Sequence, residues 1–214
     1  MKILVIGGSG HLGSTLLKII PYAVGVDIED INRIGSMLHE FDFAFLAVPL
    51  KESEIYLTEY SNYKGFIELS SVKQAMLKHK GSLISIHPLF GPDSYKENKS
   101  IIFVNDISFD GSFEIIKNIF NGYTIIQMSA FEHDSIIAEL LVKPYILSYI
   151  SDPQIKEITT NSYKKLENMH NIRNSENEKV FMDTIIMNEN SENIINQMEK
   201  KLEELKNLIK DGRS

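Results

Sequence analysis

The sequence contains no cysteine, and arginine occurs at three positions only, Arg33, Arg173 and Arg213. The lack of cysteine excludes disulfide bonds and cysteine-ligated metal sites, and no other metal site is predicted. It also suits a reducing compartment, and we therefore expect a cytoplasmic protein. Positive charge is scarce: the net charge is −7, and the 22 basic residues are dispersed along the chain. Because nucleic acids and anionic membranes both require a basic face, neither is a predicted partner.

Long hydrophobic runs are also missing. No stretch approaches the roughly 18 apolar residues that a membrane-spanning helix needs. The opening MKILVIGG is apolar but ends in glycine after a few residues, which is too short for a signal peptide. With 43% hydrophobic residues in 214 positions, the chain has enough apolar material for one large domain or two small ones.

Short β-rich runs alternate with helix-length spacers through the first 128 residues. The predicted strands are Lys2–Ile6, Ala23–Asp27, Phe43–Val48, Gly65–Leu69, Leu83–Ile86, Ile101–Val104 and Tyr123–Met128. Several are continuously apolar, as expected of strands in a mostly parallel sheet that helices cover on both faces. The alternation predicts a doubly wound α/β domain over residues 1–129.

A smaller, all-helical domain is predicted for residues 130–214, since the strand pattern stops there. The predicted helices are Glu132–Ile150 with a bend at Pro144, Ile155–Asn168, Lys179–Met187 and Ser191–Lys210. The last helix carries an apolar stripe at alternating spacings of three and four, formed by Ile195, Met198, Leu202, Leu205 and Ile209. Such a stripe packs either within one chain or against a second subunit.

A glycine-rich loop follows the first predicted strand and opens a helix. Gly8, Gly10 and Gly13 have the G-x-G-x-x-G spacing, which allows a tight turn, close approach of a pyrophosphate, and close helix–strand packing. The pyrophosphate then binds at the helix N-terminus. Asp27 ends the second strand, about 20 residues on, where a carboxylate binds the adenosine ribose. Without a nearby arginine or lysine for a 2′-phosphate, NAD is predicted rather than NADP.

Small residues at the end of the third strand would let backbone pass beneath the nucleotide. The predicted cofactor-binding residues are therefore Gly8, Ser9, Gly10, His11, Leu12, Gly13, Asp27, Val48 and Pro49. Of these, His11 is expected on the helix surface rather than in a catalytic role.

Polar residues follow two further strands, at Glu68–Lys73 and at His87. Ligands of open α/β sheets bind beyond the carboxyl ends of the strands, so these residues are expected near a nicotinamide. Ser70 and Ser71 are either site residues or ordinary caps of the next helix. His87 is either a catalytic group or a polar residue that ends a strand.

These motifs together resemble prephenate and arogenate dehydrogenases. The resemblance covers about residues 1–149 and rests on GGSGHLG, AVPL, ELSSVK, IHPLFGP and EHD, which occur in that family's order. The S-V-K part of the family pattern is Ser71–Lys73, with Glu68 in place of the usual aspartate. His87–Gly91 match the family's H-P-M-x-G, with Leu89 in place of methionine.

The resemblance implies an NAD-dependent oxidative decarboxylation in tyrosine biosynthesis, by a Rossmann-type domain and a helical dimerisation domain. Hydride leaves the ring carbon that bears the hydroxyl, and loss of the ring carboxylate as CO₂ makes the ring aromatic. His87 then accepts the proton of the ring hydroxyl, Ser71 contacts the same hydroxyl, and Lys73 belongs to the substrate site. A general base near neutral pKa suits this step on chemical grounds also.

The C-terminal half departs from the family pattern. Arg173 is either the expected carboxylate-binding arginine or a solvated loop residue. The family's second helix histidine is replaced by Tyr145, which we assign to the substrate site. His133 is interpreted as a helix-start residue rather than a ligand.

Three functions follow from these features. The first is a homodimeric prephenate dehydrogenase. The second is an arogenate or other cyclohexadienyl dehydrogenase, since Tyr145 alters the substrate region. The third, of another class, is a non-catalytic NAD-binding regulatory subunit.

Overall fold

The structure is a computed structural model that describes residues 1–27, 31–154 and 158–213. The chain divides into two compact units, Met1–His133 and Asp134–Ser214. The first unit thus ends at His133, slightly later than the boundary expected after residue 129.

The described residues of the first unit contain seven strands. They are β1 (Ile3–Ile6), β2 (Val24–Val26), β3 (Phe43–Leu46), β4 (Phe66–Glu68), β5 (Ile84–Pro88), β6 (Ser100–Val104) and β7 (Thr124–Met128). Each coincides with one of the predicted segments. Every residue of β1, β4 and β5 is buried, as in a sheet covered on both faces.

The strands form one sheet in the order β2-β1-β3-β4-β5-β6-β7. Strands β1 to β5 are parallel, β6 runs antiparallel to β5, and β7 is parallel to β6. The carboxyl ends of the first five strands therefore share one edge. The order reverses between β1 and β3, which is where ligands bind in doubly wound folds. The predicted Rossmann-type, mostly parallel sheet is confirmed.

Helices follow the strands of the first unit and make up the second. They are α1 (His11–Ile19), α2 (Ile31–Leu38), α3 (Leu50–Glu59), α4 (Ser112–Ile119), α5 (Ala130–Ile137), α6 (Lys143–Ile150), α7 (Asn161–Ser175), α8 (Glu178–Met187) and α9 (Ser191–Asp211). A 3₁₀ helix, Gln74–His79, follows β4. No helix of the described residues is both long enough and apolar enough to cross a membrane.

Two helices differ from prediction. The expected helix over residues 132–150 is interrupted by a π-helical turn, Ala138–Val142, just before Pro144. Proline has no N–H to donate to the carbonyl four residues earlier, so the regular bonding pattern is broken there. The next helix begins later than expected, because the Thr160 hydroxyl accepts a hydrogen bond from the Tyr163 N–H and caps it. Residues 155–157 of the predicted helix lie outside the described chain.

Each unit has its own apolar core. In the first, buried side chains from the sheet pack against α1 and α4, as in the edge-to-face contact of Phe45 with Phe120. In the second, Ala138, Val142 and Ile146 pack with Ile194 of α9. The C-terminal half of α9 continues beyond this cluster with its apolar side chains exposed.

Candidate active site

The loop between β1 and α1 is held in place by backbone hydrogen bonds. The N–H groups of Gly7 and Gly8 donate to the Val26 carbonyl at 2.8 and 3.0 Å, and the Gly10 N–H donates to the Gly7 carbonyl at 3.1 Å. Gly10 caps α1 without a side chain. The first-turn N–H groups of α1 are thus suited to an anion.

The glycines of this loop are required by close contacts. A Cβ atom on Gly13 would lie 2.0 Å from the Gly7 carbonyl oxygen, and one on Gly7 would lie 2.3 Å from the Ala47 oxygen. Gly7 also has a φ of 86°. The tight turn therefore falls on Gly7, whereas the motif alone places it on Gly8. Gly8 instead packs against Gly25, where a Cβ would lie 3.0 Å from the Gly25 Cα. The loop therefore fits a pyrophosphate cradle.

Asp27 lies directly after β2 and beside the glycine loop. Its two carboxylate oxygens accept hydrogen bonds from the Ser9 N–H at 3.0 and 3.2 Å. The carboxylate therefore borders the cradle where an adenosine ribose would lie. His11 is exposed at the start of α1 and Leu12 is half-buried, so the expected surface position of His11 is observed.

Val48 and Pro49 lie between β3 and α3. Strand β3 is on the opposite side of β1 from β2, the strand that Asp27 follows. A Val48 methyl group lies 3.0 Å from the position of a Cβ on Gly7, and Pro49 caps α3. The Val48 carbonyl accepts a hydrogen bond from the Ser53 hydroxyl at 3.3 Å. The sheet thus brings the ends of β1, β2 and β3 together around the predicted cofactor site.

The segment after β4 is organised around a buried carboxylate. Glu68 accepts hydrogen bonds from the Lys73 ammonium at 2.7 Å, the Ser85 hydroxyl at 2.8 Å and the Ser70 N–H at 2.5 Å. The Lys73 ammonium also donates to the Ile86 carbonyl at 2.8 Å. Neither charged side chain has any exposed surface, so this network ties the Ser70–Ser71 loop to β5 next to His87.

The predicted substrate contact of Lys73 stays a prediction, and the structure places this side chain in a buried network. Its ammonium is fully buried and bonded to the Glu68 carboxylate and the Ile86 carbonyl, so it links β4 to β5. The alternative that Ser70 or Ser71 caps the next helix is not observed. Lys73 stands at that position without a side-chain cap, and the Ser70 hydroxyl donates to the Val72 carbonyl. Ser71 is half-buried on the same loop.

His87 lies within β5, opposite Ile102 of β6, and its side chain is almost wholly buried. Its Nδ1 is 2.9 Å from Nε2 of His133. Burial, the neighbouring His133 and the Lys73 ammonium together hold the pKa of His87 well below its usual value. The imidazole is therefore neutral at physiological pH, as a general base must be.

His133 lies in the first turn of α5, as the helix-start interpretation expects. Its ring is completely buried against that of His87. The sequence signal was present in the EHD motif, which resembles the family's H-D pair. What the sequence does not show is that α5 returns to the end of β5.

Two predicted substrate residues lie in the second unit. The Tyr145 hydroxyl donates to the Glu176 carboxylate at 3.0 Å, and its ring stacks on Phe181. Arg173 is 3.3 Å from Glu178 and lies over the ring of Tyr149. Tyr145 is thus a buried core residue of this unit, whereas Arg173 keeps more than a third of its side chain exposed.

No family model matches the chain, but curated proteins do. It is 29% identical over 151 residues to the T-protein of Haemophilus influenzae, covering 62% of this chain and 39% of that protein. It is 29% identical over 112 residues to the T-protein of Enterobacter agglomerans, covering 47% of this chain and 30% of that protein. The match thus spans less than two fifths of these relatives' length.

Solved structures extend the comparison over the whole chain. The prephenate dehydrogenase of Aquifex aeolicus, in complex with hydroxyphenyl propionate and NAD⁺, has a TM-score of 0.75 at 19% identity, covering 98% of this chain and 90% of that one. The Synechocystis arogenate dehydrogenase has a TM-score of 0.68 at 15% identity, covering 100% of this chain and 93% of that one. At these identities the comparison shows the fold, and the predicted resemblance to these enzymes is confirmed at that level.

Proposed function

We propose that the chain is an NAD-dependent dehydrogenase of tyrosine biosynthesis, which converts prephenate to 4-hydroxyphenylpyruvate with loss of CO₂. The observation that carries this proposal is a neutral, buried histidine, His87, at the sheet edge that also bears the glycine cradle. In doubly wound folds, ligands bind beyond the carboxyl ends of the strands, so a general base at that edge lies near a bound dinucleotide.

NAD fits the residues of the cradle. Gly7 and Gly13 leave the space that a pyrophosphate requires, and the carboxylate of Asp27 suits a ribose with two free hydroxyls. The same negative charge opposes a 2′-phosphate. When bound, the nicotinamide supplies the hydride acceptor for the ring carbon of the substrate.

The chain's own residues handle the proton and the orientation of the substrate. We assign His87 as the base that accepts the proton of the ring hydroxyl while the carbon loses its hydride. Ser71 lies on the loop that the Glu68 network holds and is assigned a hydrogen bond to the same hydroxyl. The bond from the ring to its carboxylate then breaks, its electron pair enters the ring, and CO₂ leaves. Aromatisation supplies much of the driving force.

Arg173 stays the predicted partner of a substrate carboxylate, because arginine binds carboxylates with two parallel hydrogen bonds. Its ion pair with Glu178 is long and exposed, so exchanging it costs little. Arogenate or another cyclohexadienyl compound is the second candidate, because Tyr145 stands where the family has a second helix histidine.

Initial rates of NAD reduction with prephenate and with arogenate test the proposal. We expect turnover with prephenate, and we expect His87→Asn to lower kcat by roughly 10²- to 10⁴-fold while NAD affinity is kept. His39→Asn, at an exposed histidine, is the matched control. NAD binding without turnover on either substrate would favour the regulatory subunit instead.

We also propose a homodimer. The apolar stripe of α9 leaves Leu202, Leu205 and Ile209 exposed by 55, 52 and 44%. Exposed apolar stripes at this spacing are typical of helices that pack against another subunit. The cytoplasmic location stays a prediction from composition.

A further inference from the structure

The contact between His87 and His133 joins two ring nitrogens 2.9 Å apart, Nδ1 of the first and Nε2 of the second. A neutral imidazole carries one proton, so it has one N–H donor and one lone pair. A hydrogen bond at this distance therefore needs a donor on one ring and a lone pair on the other. The pair has two possible arrangements, and they differ in which ring donates.

We infer that His133 is a positioning residue that accepts a hydrogen bond from His87 Nδ1–H and so keeps the lone pair of His87 on Nε2. The inference rests on the proposed role of His87 as a base, because the opposite arrangement would put the proton on Nε2. A ring protonated at Nε2 donates to the substrate hydroxyl and is unable to take its proton. The tautomer of His87 thus decides whether it works as a base.

Burial makes this hydrogen bond effective. The His133 side chain has no exposed surface and that of His87 is 8% exposed, so water competes little for Nδ1. His87 has no other hydrogen-bond partner among the described residues. Free imidazole in water favours the proton on Nε2, and a dry site with an acceptor at Nδ1 reverses that preference.

The start of α5 fixes the acceptor in place. The Ser129 N–H donates to Glu132 Oε2 at 2.8 Å, and the Glu132 N–H donates to the Ser129 hydroxyl at 3.2 Å, which is a reciprocal cap. The Ala130 N–H donates to the Asp106 carboxylate at 2.8 Å, and the His133 N–H donates to the Ser129 carbonyl. These bonds hold the helix turn from which the His133 ring extends.

The same partner supports the proton once it has been transferred. As His87 becomes charged, its Nδ1–H stays bonded to the lone pair of His133, and a hydrogen bond to an ionised donor is stronger than a neutral one. Besides His133, the charged group recorded as acting on the pKa of His87 is Lys73, between β4 and the 3₁₀ helix, and Lys73 is paired with Glu68 of β4. Among the described residues, the hydrogen bond recorded for the His87 ring is the one to His133.

Two variants separate the hydrogen bond from packing. His133→Gln keeps an oxygen near the place of Nε2, whereas His133→Phe keeps the volume and removes the acceptor. We expect kcat to fall roughly 10- to 100-fold in His133→Phe, a loss typical of residues that orient a functional histidine. NAD affinity should be unchanged, and His133→Gln should recover most of the rate. His133 lowers the pKa of His87, so its removal in His133→Gln should raise that pKa. The acid limb of kcat/KM should then move to higher pH.

The tautomer itself is read from the ¹⁵N signals of the His87 imidazole in the wild-type chain above neutral pH. We expect the proton on Nδ1, and on Nε2 in His133→Phe. A wild-type His87 protonated on Nε2, or a fully active His133→Phe variant, would overturn the inference. The measurement on the wild-type chain needs neither turnover nor a variant. A proton on Nδ1 without activity on prephenate or arogenate would support the positioning role and refute the proposed function.

Discussion

The ammonium of Lys73 lies 2.7 Å from the Glu68 carboxylate, and both side chains are completely buried. The pair also holds two other elements, through the Ser70 N–H and the Ile86 carbonyl. A buried ion pair is costly to form but costly to break, because the remaining charge has no partner. Its role here is to fix the geometry of the loop and strand that carry Ser71 and His87.

Lys73→Met should therefore destabilise the fold. Removing one partner of a buried ion pair costs about 3–5 kcal/mol, since Glu68 keeps its buried charge. We expect this loss in the free energy of unfolding, measured by urea denaturation. Glu68→Gln/Lys73→Met should lose less than the sum of the single variants, because it leaves no unpaired charge. A Lys73→Met variant of normal stability with an impaired substrate KM would support a direct substrate contact instead.

Gly13→Ala should disrupt the nucleotide loop. The new Cβ would lie 2.0 Å from the Gly7 carbonyl oxygen, so α1 must move away from β1. Overpacking of this kind costs roughly 1–3 kcal/mol, and NAD binding should weaken at the same time. Gly91→Ala is the control, since nothing lies within 4 Å of its Cβ position. Equal stability and equal NAD affinity in the two variants would contradict the packing role of Gly13.

Asp27→Asn should relax the choice of cofactor. The amide oxygen keeps a hydrogen bond from the Ser9 N–H, but the charge that attracts ribose hydroxyls and repels a 2′-phosphate is lost. We expect kcat/KM for NAD to fall roughly 10- to 100-fold, the value of one charged hydrogen bond, while the value for NADP rises. Asp110→Asn, at an exposed carboxylate, should change neither. An unchanged NAD-to-NADP ratio in Asp27→Asn would rule out this role.

Acidification should weaken the fold through His87. Its pKa is lowered in the folded state, so below the unfolded pKa of about 6.5 the unfolded chain binds a proton that the folded chain does not. The free energy of unfolding then falls by up to about 1.4 kcal/mol per pH unit, until the folded pKa is reached. Urea denaturation at several pH values between neutrality and about 5.5 measures the slope. His87→Asn should flatten it and His39→Asn should not; equal slopes would argue against a neutral, buried His87.

Leu205→Glu should abolish the proposed dimer. The side chain lies on the exposed apolar stripe of α9, so a charge there blocks an apolar interface and leaves the intrachain core intact. Light scattering should give a dimer for the wild type and a monomer for the variant. Asn207→Glu, at an exposed position two residues along, is the control for the added negative charge. A monomeric wild-type chain would refute the proposal.

The sheet was predictable because its signal is local. Continuous apolar runs such as ILVI and FAFLAV indicate strands buried on both faces, and each predicted strand has its counterpart in β1 to β7. The glycine loop and Asp27 were predictable for a related reason: their spacing alone fixes where they fall relative to β1 and β2. Their positions follow from the order of the elements rather than from any tertiary detail.

The roles of Lys73 and His133 were not predictable, since they depend on which side chains meet. Nothing in the sequence shows that the Lys73 ammonium reaches the Ile86 carbonyl instead of solvent. His133 is 46 positions from His87 in sequence, and only the return of α5 to the end of β5 brings the two rings together. Motifs thus identified the residue types, and tertiary structure assigned their contacts.

The position of His87 inside β5, rather than on a loop after it, has a consequence for local opening. Its backbone belongs to the antiparallel ladder with β6, and the preceding carbonyl is bound by Lys73. Backbone in the centre of a sheet exchanges its amide hydrogens only when the domain unfolds, unlike loops, which open often. The proposed proton acceptor is thus carried by a part of the chain that is expected to open last. Adaptation to different substrates is then left to the loops around it.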